Sequence, residues 1–237
     1  QSMIGCLFSR PVIIAGTTEE KAIYERVAQR QFERYDVTFT HSQSPQNLPI
    51  VMRELVAARI PVCAIAELEV LGAQDRFVEL VEAASTAAME PTWLGTCDRF
   101  TRMFDGPGLK TPTGASIRQM ESELLKMSTG EFHVAESDDM LSDESVNYAQ
   151  QRQQQIREVG LDAIDDGLRP WVEQLMDELR PLGIFIVGNG CLESWMQFGT
   201  PLSRADWFFN ALQEIDRGEC PVPLETFVGA MLDHLDV

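Results

Sequence analysis

Pro11-Val12-Ile13-Ile14-Ala15-Gly16-Thr17-Thr18-Glu19-Glu20 is the stretch that decides the fold of this chain. Its first five residues are apolar and rich in β-branched side chains without polar alternation, the mark of a parallel strand buried on both faces. Gly16 ends that run. Thr17 and Thr18 then offer a helix N-cap, and Glu19 and Glu20 stand in the first turn, where the helix dipole favours acids. Ala22, Ile23, Val27 and Ala28 continue at helical spacing to about Arg34. The unit is strand, tight turn, helix.

The same unit recurs downstream. Val37 and Phe39 alternate with Thr38 and Thr40, which predicts a second strand over 36–41. Leu48–Ile60 reads as a helix with Ile50, Val51, Leu55 and Val56 on one face. Pro61-Val62-Cys63-Ala64-Ile65-Ala66 is a third strand, uniformly apolar and therefore central, and a helix runs from about Ala73 to Ala87. Strands alternating with helices through short loops define an α/β fold with a right-handed, doubly wound, mostly parallel sheet. Ligands of such sheets sit beyond the carboxyl ends of the strands. The first strand ends at Ala15-Gly16 and the third at Glu67-Leu68-Glu69, so both turns belong to one edge.

From about Met89 to Arg180 the alternation stops. Residues 113–127, 142–159 and 162–182 have helical character, the last with Leu168, Val172, Leu175 and Leu179 on its apolar face. Between them, 129–143 is an acidic loop that contains His133, and Asp105-Gly106-Pro107-Gly108 is a turn signal. Gly183-Ile184-Phe185-Ile186-Val187 restores strand character, which makes the region 89–180 a helical insertion before the last core strand. Gly188-Asn189-Gly190 is a tight turn; it lacks the lysine and the glycine spacing of a phosphate-binding loop. Leu192–Phe198 begins a helix, and Ser203–Asp216 and Val222–Leu235 close the chain. Trp171, Trp195 and Trp207, with Phe208 and Phe209, fall at helical spacing and read as core. Residues 4–237 read as a single domain, after Gln1-Ser2-Met3, which has the look of an expression-tag remnant.

Composition narrows the functions. With 44% hydrophobic and 24% charged residues in 237, the chain is expected to be a soluble globular protein, and no apolar run is long enough to cross a bilayer. Five scattered cysteines without a C-x-x-C pair point to a reducing cytoplasm, against a disulfide frame and against structural zinc. Three histidines, far apart, make no metal cluster. The net charge of −18, with few basic residues and almost all of them arginine, is unlike the basic footprint of a nucleic-acid binder. A grip on DNA would need bound metal ions or another domain.

Chemistry is most readable at Glu67-x-Glu69. Two carboxylates one residue apart at a strand end point the same way, and such hard oxygen ligands suit Mg²⁺ or Mn²⁺. Ions held there would polarise a phosphodiester and activate water. Glu19, at the helix N-terminus past the first strand, is expected beside the pair as a third acid.

Three stretches, Pro11–Tyr24, Pro61–Leu71 and Gly183–Trp207, together resemble the TOPRIM domain of the OLD-family ATP-dependent endonucleases. A V-E-G-x-[ST]-[DE] pattern of that family is matched by Ile14-Ala15-Gly16-Thr17-Thr18-Glu19, and A-D-x-D by Ala66-Glu67-Leu68-Glu69. G-[DE]-L-E is matched by Gly190-Cys191-Leu192-Glu193, and a lysine before a tryptophan-bearing helix by Arg204 ahead of Trp207. The resemblance implies a TOPRIM-like fold and a metal centre drawn from Glu19, Glu67, Glu69 and Glu193, with Glu67, Glu69 and Arg204 in catalytic places. It also implies an ATPase, which must be an upstream or separate domain because no Walker lysine occurs here, a homo-oligomer, and a place in bacterial defence.

The departures from the pattern are specific. Ala15 stands where the family has a glutamate, and Cys191 stands where it has an acid. Glu67 and Glu69 are each a methylene longer than the aspartates they replace, and Arg204 cannot donate a proton near neutral pH as lysine can. Two functions follow: a catalytically degenerate domain kept for assembly or regulation, or an active Mg²⁺/Mn²⁺-dependent endonuclease acting on DNA or RNA. Convergence of the carboxylates favours the second, and arginines paired to them favour the first.

Overall fold

A computed structural model of the chain describes residues 11–85, 91–105, 151, 154–198 and 202–236. The expected helix over 113–127, the acidic loop over 129–143 and the turn after Asp105 lie outside the described residues. Four strands, β1 (Val12–Ala15), β2 (Thr38–His41), β3 (Val62–Glu67) and β4 (Ile184–Val187), form one sheet in the order β2-β1-β3-β4. Every neighbouring pair is parallel, so all four carboxyl ends meet at one edge. This is the doubly wound α/β sheet that the sequence predicts, wholly rather than mostly parallel.

Successive strand residues feed opposite cores, as the two-residue period requires. Ile13, Ala15, Cys63, Ile65, Phe185 and Val187 pack with α1 (Thr18–Gln31). Val12, Ile14, Ala64, Ala66, Ile184 and Ile186 pack on the other face with α2 (Leu48–Ala57), α3 (Gln74–Ala84), α4 (Pro91–Asp105) and α5 (Arg169–Leu179). The last helices, α6 (Arg204–Arg217) and α7 (Val222–Leu235), join α1. The chain passes from β1 through α1 outward to β2, then returns through α2 to β3 on the far side of β1. Strand order reverses between β1 and β3, which makes their carboxyl ends the topological switch point.

Several local expectations are corrected. In α2 the buried side chains are Leu48, Pro49, Met52 and Leu55, whereas Ile50 is 56% exposed and Val56 38%. The core stripe follows the 48/52/55 spacing, which turns Ile50 outward. The helix expected from 162 begins at Arg169, because Asp165 binds the Gly167 amide in a turn and Pro170 sits in the first helical turn. Leu192–Trp195 is a single 3₁₀ turn and not the start of a helix. There the chain extends at Met196, whose carbonyl accepts a hydrogen bond of 2.8 Å from the Trp207 indole. Helix α4 lies within the insertion, with Trp93, Cys97 and Phe100 buried. Trp195 and Trp207 are core as expected, but Phe209 is exposed and Trp171 half-exposed, its ring 4.9 Å from the Arg99 guanidinium. Among the described residues no helix is long and apolar enough to cross a membrane.

Candidate functional site

A cavity of about 430 Å³ opens at the switch point, lined by Gly16, Glu20, Glu67, Glu69, Arg76, Thr101 and Arg157, with Pro45, Leu48, Val70 and Leu80 among its apolar walls. One corner of it is built by the turn after β1. Thr17 caps α1 by accepting from the Glu20 amide, and the Glu20 carboxylate reaches back to accept from the Thr17 amide at 2.9 Å. This reciprocal capping box fixes which acid faces inward. Glu20 is buried and lines the cavity; Glu19, one residue round the helix, does not line it. The third acid of the site is therefore Glu20, where Glu19 was expected. A Cβ at Gly16 would lie 2.9 Å from Glu20 Oε2, so the glycine leaves room for that carboxylate. Burial raises the Glu20 carboxyl above its ordinary range, and the Thr17 amide opposes the rise.

Glu67 ends β3 and Glu69 lies two residues on, in the 3₁₀ turn Leu68–Gly72. Burial, followed by the negative charges of Glu20 and Glu69, raises Glu67 to about 7, while Arg157 pulls against it. Glu69 is held differently. Arg157 donates from Nε to Oε1 at 2.5 Å and from Nη2 to Oε2 at 3.1 Å, a bidentate guanidinium–carboxylate pair. Glu193, in the turn after β4, pairs with Arg204 at 3.2 Å, and the Arg204 charge also favours ionised Glu20. Thus Glu67, Glu69, Glu193 and Arg204 all fall on the edge where the sequence places them, two of the acids already matched to arginines.

The remaining motif positions offer no oxygen ligand. Ala15 is fully buried in the α1 core, its carbonyl accepting from the Ser42 amide at 2.9 Å. Cys191 has its thiol pushed up by burial and by neighbouring Glu193. Tyr24 lies buried in the α1 core, accepting from the Trp195 indole at 3.1 Å, and burial pushes its phenol up.

Arg157 has no sequence signal, since it stands in a polar helical run. Backbone contacts place it. Its carbonyl accepts from the Cys191 amide at 2.9 Å, and the Leu161 amide donates to the Gly188 carbonyl at 2.8 Å. Gly190 (φ +100°) and Gly160 (φ +60°) allow this approach, because a Cβ on either would lie within 2.3 Å of the opposing carbonyl oxygen. A conformation of that kind strongly favours glycine. The insertion is thereby fastened to the turn after β4.

A divalent-ion centre needs anionic oxygens free to turn toward the metal. Here one expected position is alanine, one is cysteine, and two glutamates are bound to arginines. Among the described residues no three His, Cys, Asp or Glu side chains are placed to share an ion. The donor set does not fit a two-metal centre.

Fold and edge together define a doubly wound α/β domain with acids and arginines gathered at its switch point. Among solved structures the chain is similar to the C-terminal region of the Burkholderia pseudomallei OLD protein, at 12% identity and a TM-score of 0.37, over 96% of this chain and 99% of that one. It is also similar to the C-terminal region of the Xanthomonas campestris pv. campestris OLD protein, at 11% identity and a TM-score of 0.36, over 96% of this chain and 92% of that one. A second structure of that region, phased with mercury, is 15% identical with a TM-score of 0.35, over 96% and 95%. No family model matches the chain, and no curated protein matches it.

Proposed function

We propose that this chain is a TOPRIM-like domain of an OLD-family ATP-dependent nuclease that has lost its metal chemistry and serves in assembly or regulation. The observation that carries this reading is the pairing of Glu69 with Arg157 and of Glu193 with Arg204 at an edge where Ala15 and Cys191 replace acids. A carboxylate already paired with a guanidinium is a poorer metal ligand, because an arriving ion must compete with a positive charge beside it. An upstream or separate ATPase domain, a second copy of the chain and nucleic acid held by those partners are the expected company. The net charge of −18 supports a domain that does not grip DNA by itself.

The second reading, an active Mg²⁺- or Mn²⁺-dependent endonuclease, draws on one feature: Glu20, Glu67 and Glu69 line the same cavity. Calorimetric titration with Mn²⁺ and incubation with supercoiled plasmid and single-stranded DNA and RNA separate the two. The degenerate reading expects no tight binding and no cleavage. A dissociation constant well below millimolar that is lost in Glu67→Ala, together with metal-dependent cleavage, overturns it.

A further inference from the structure

We propose that Arg157 is the resident cation of the switch-point edge, a guanidinium standing in the place and charge of a divalent ion beside Glu67 and Glu69. The inference rests on the reading of a lost metal centre and says what replaced it. An exposed arginine that merely finds a nearby acid is common and worth little. Arg157 differs in how it is delivered.

Its backbone is fixed independently of the ion pair. Ile156, the preceding residue, is fully buried in the core beneath α2–α5. The carbonyl of Arg157 is bound by the Cys191 amide, and the next turn is bound to Gly188 through Leu161. Gly160 and Gly190 each adopt positive φ to let these strands of chain meet. The side chain therefore leaves from a fixed backbone position, and its planar fork meets both oxygens of one carboxylate in the 3₁₀ turn after β3. Both carboxylate oxygens of Glu69 are occupied, and the positive charge also favours the ionised form of Glu67. One fixed positive group thus serves both members of the Glu-x-Glu pair, as a bound metal ion would. It is anchored through the turn that carries Cys191 and leads into Glu193, so the backbone that holds Arg157 belongs to the same edge as the acids it faces.

If Arg157 excludes an ion by holding its place, removing the guanidinium should expose a two-carboxylate site able to take Mn²⁺ with water completing the shell. The test compares the intact chain with Arg157→Met, Arg157→Gln and Arg157→Lys, using Mn²⁺ alone as the probe. Calorimetry gives the affinity, and thermal unfolding with and without Mn²⁺ gives an independent readout. The expected result is a wild type with at most millimolar affinity and no shift in Tm. Met and Gln at 157 should bind at least tenfold more tightly and show a Mn²⁺-dependent rise in Tm. Lys, which keeps the charge, should stay silent, and Glu69→Gln added to Arg157→Met should abolish the gain. Tight binding by the wild type overturns both the lost-centre reading and this inference. Silence in the wild type and equally in Met and Gln overturns this inference alone. So does a gain by Lys equal to that of Met, or a gain that survives Glu69→Gln.

Discussion

Two corners of the same edge hold carboxylates by opposite means. At the corner after β1 and β3, Glu20 is buried and Glu67 half-buried, neither is in an ion pair among the described residues, and burial raises both above the ordinary carboxylate range. At the outer rim, Glu69 and Glu193 are half-buried like Glu67, but each is bound to an arginine. Acids that serve one metal centre would be expected to share a single counter-ion; here two have separate arginine partners and two have none among the described residues. The difference teaches that the edge retains the geometry of a switch-point site while its charge is balanced internally.

The largest expected effect comes from adding an acid to the buried corner. Ala15→Glu places a carboxylate at a fully buried position that packs under α1. A carboxylate there has no partner, and an uncompensated buried charge costs about 3 kcal/mol or more. Denaturant unfolding should show that loss without a gain in Mn²⁺ binding. A variant as stable as wild type that binds Mn²⁺ would erase the contrast between the corners.

Next in size is the clamp at the rim. Gly190→Ala places a Cβ 2.3 Å from the Arg157 carbonyl at a φ of +100°. Backbone strain of this kind costs about 1–3 kcal/mol, and relief requires the 156–161 segment to move away. Amide exchange should rise at Cys191 and Leu161, whose amides make the bonds that join the two segments. Unchanged protection there would mean that the clamp does not hold Arg157.

How much of this was legible follows from which forces are local. The strands over Val12–Ala15, Val62–Glu67 and Ile184–Val187 and the cap at Thr17 were readable, because buried parallel strands and capping residues write themselves into short stretches. The parallel order also followed, since alternation with short loops leaves few topologies. Glu19 is the acid that the motif spacing marks, but spacing does not give the direction of a side chain; the capping box turns Glu20 into the cavity. Arg157 was invisible, because its meeting with Glu69 spans 88 residues and depends on two positive-φ glycines far apart in the chain. Helix α4 was legible but unread: Trp93, Cys97 and Phe100 keep the i, i+4, i+7 spacing.

A smaller effect separates Glu20 from Glu67. Glu20→Ala removes the capping box and should cost about 1 kcal/mol. It also removes a negative charge that raises Glu67. Glu67 has an ordinary value of 4.5 and about 7 in the folded chain, so its protonated form is the one the fold favours. Its contribution to stability is therefore complete below the ordinary value and is lost as pH rises through about 7. In Glu20→Ala the upper end of that window should move to lower pH. Carbon NMR titration of the Glu67 carboxyl in both chains checks the direction, and an unmoved midpoint would show that Glu20 and Glu67 do not sense each other.

The smallest effect is expected from the pair that looks strongest on paper. Arg157 and Glu69 are joined by two hydrogen bonds, yet the Arg157 side chain is 55% exposed. Solvent screens such a pair, and exposed ion pairs contribute about 0.2–1 kcal/mol. A double-mutant cycle on Arg157→Met and Glu69→Gln, read by denaturant unfolding, should give a coupling below about 1 kcal/mol. A larger coupling would make the rim a stabilising element of the fold in its own right, comparable with the capping box at Glu20. A small one leaves it what the contrast between the corners implies: charge placed at the edge to occupy the acids, with the sheet and its two cores holding the domain together.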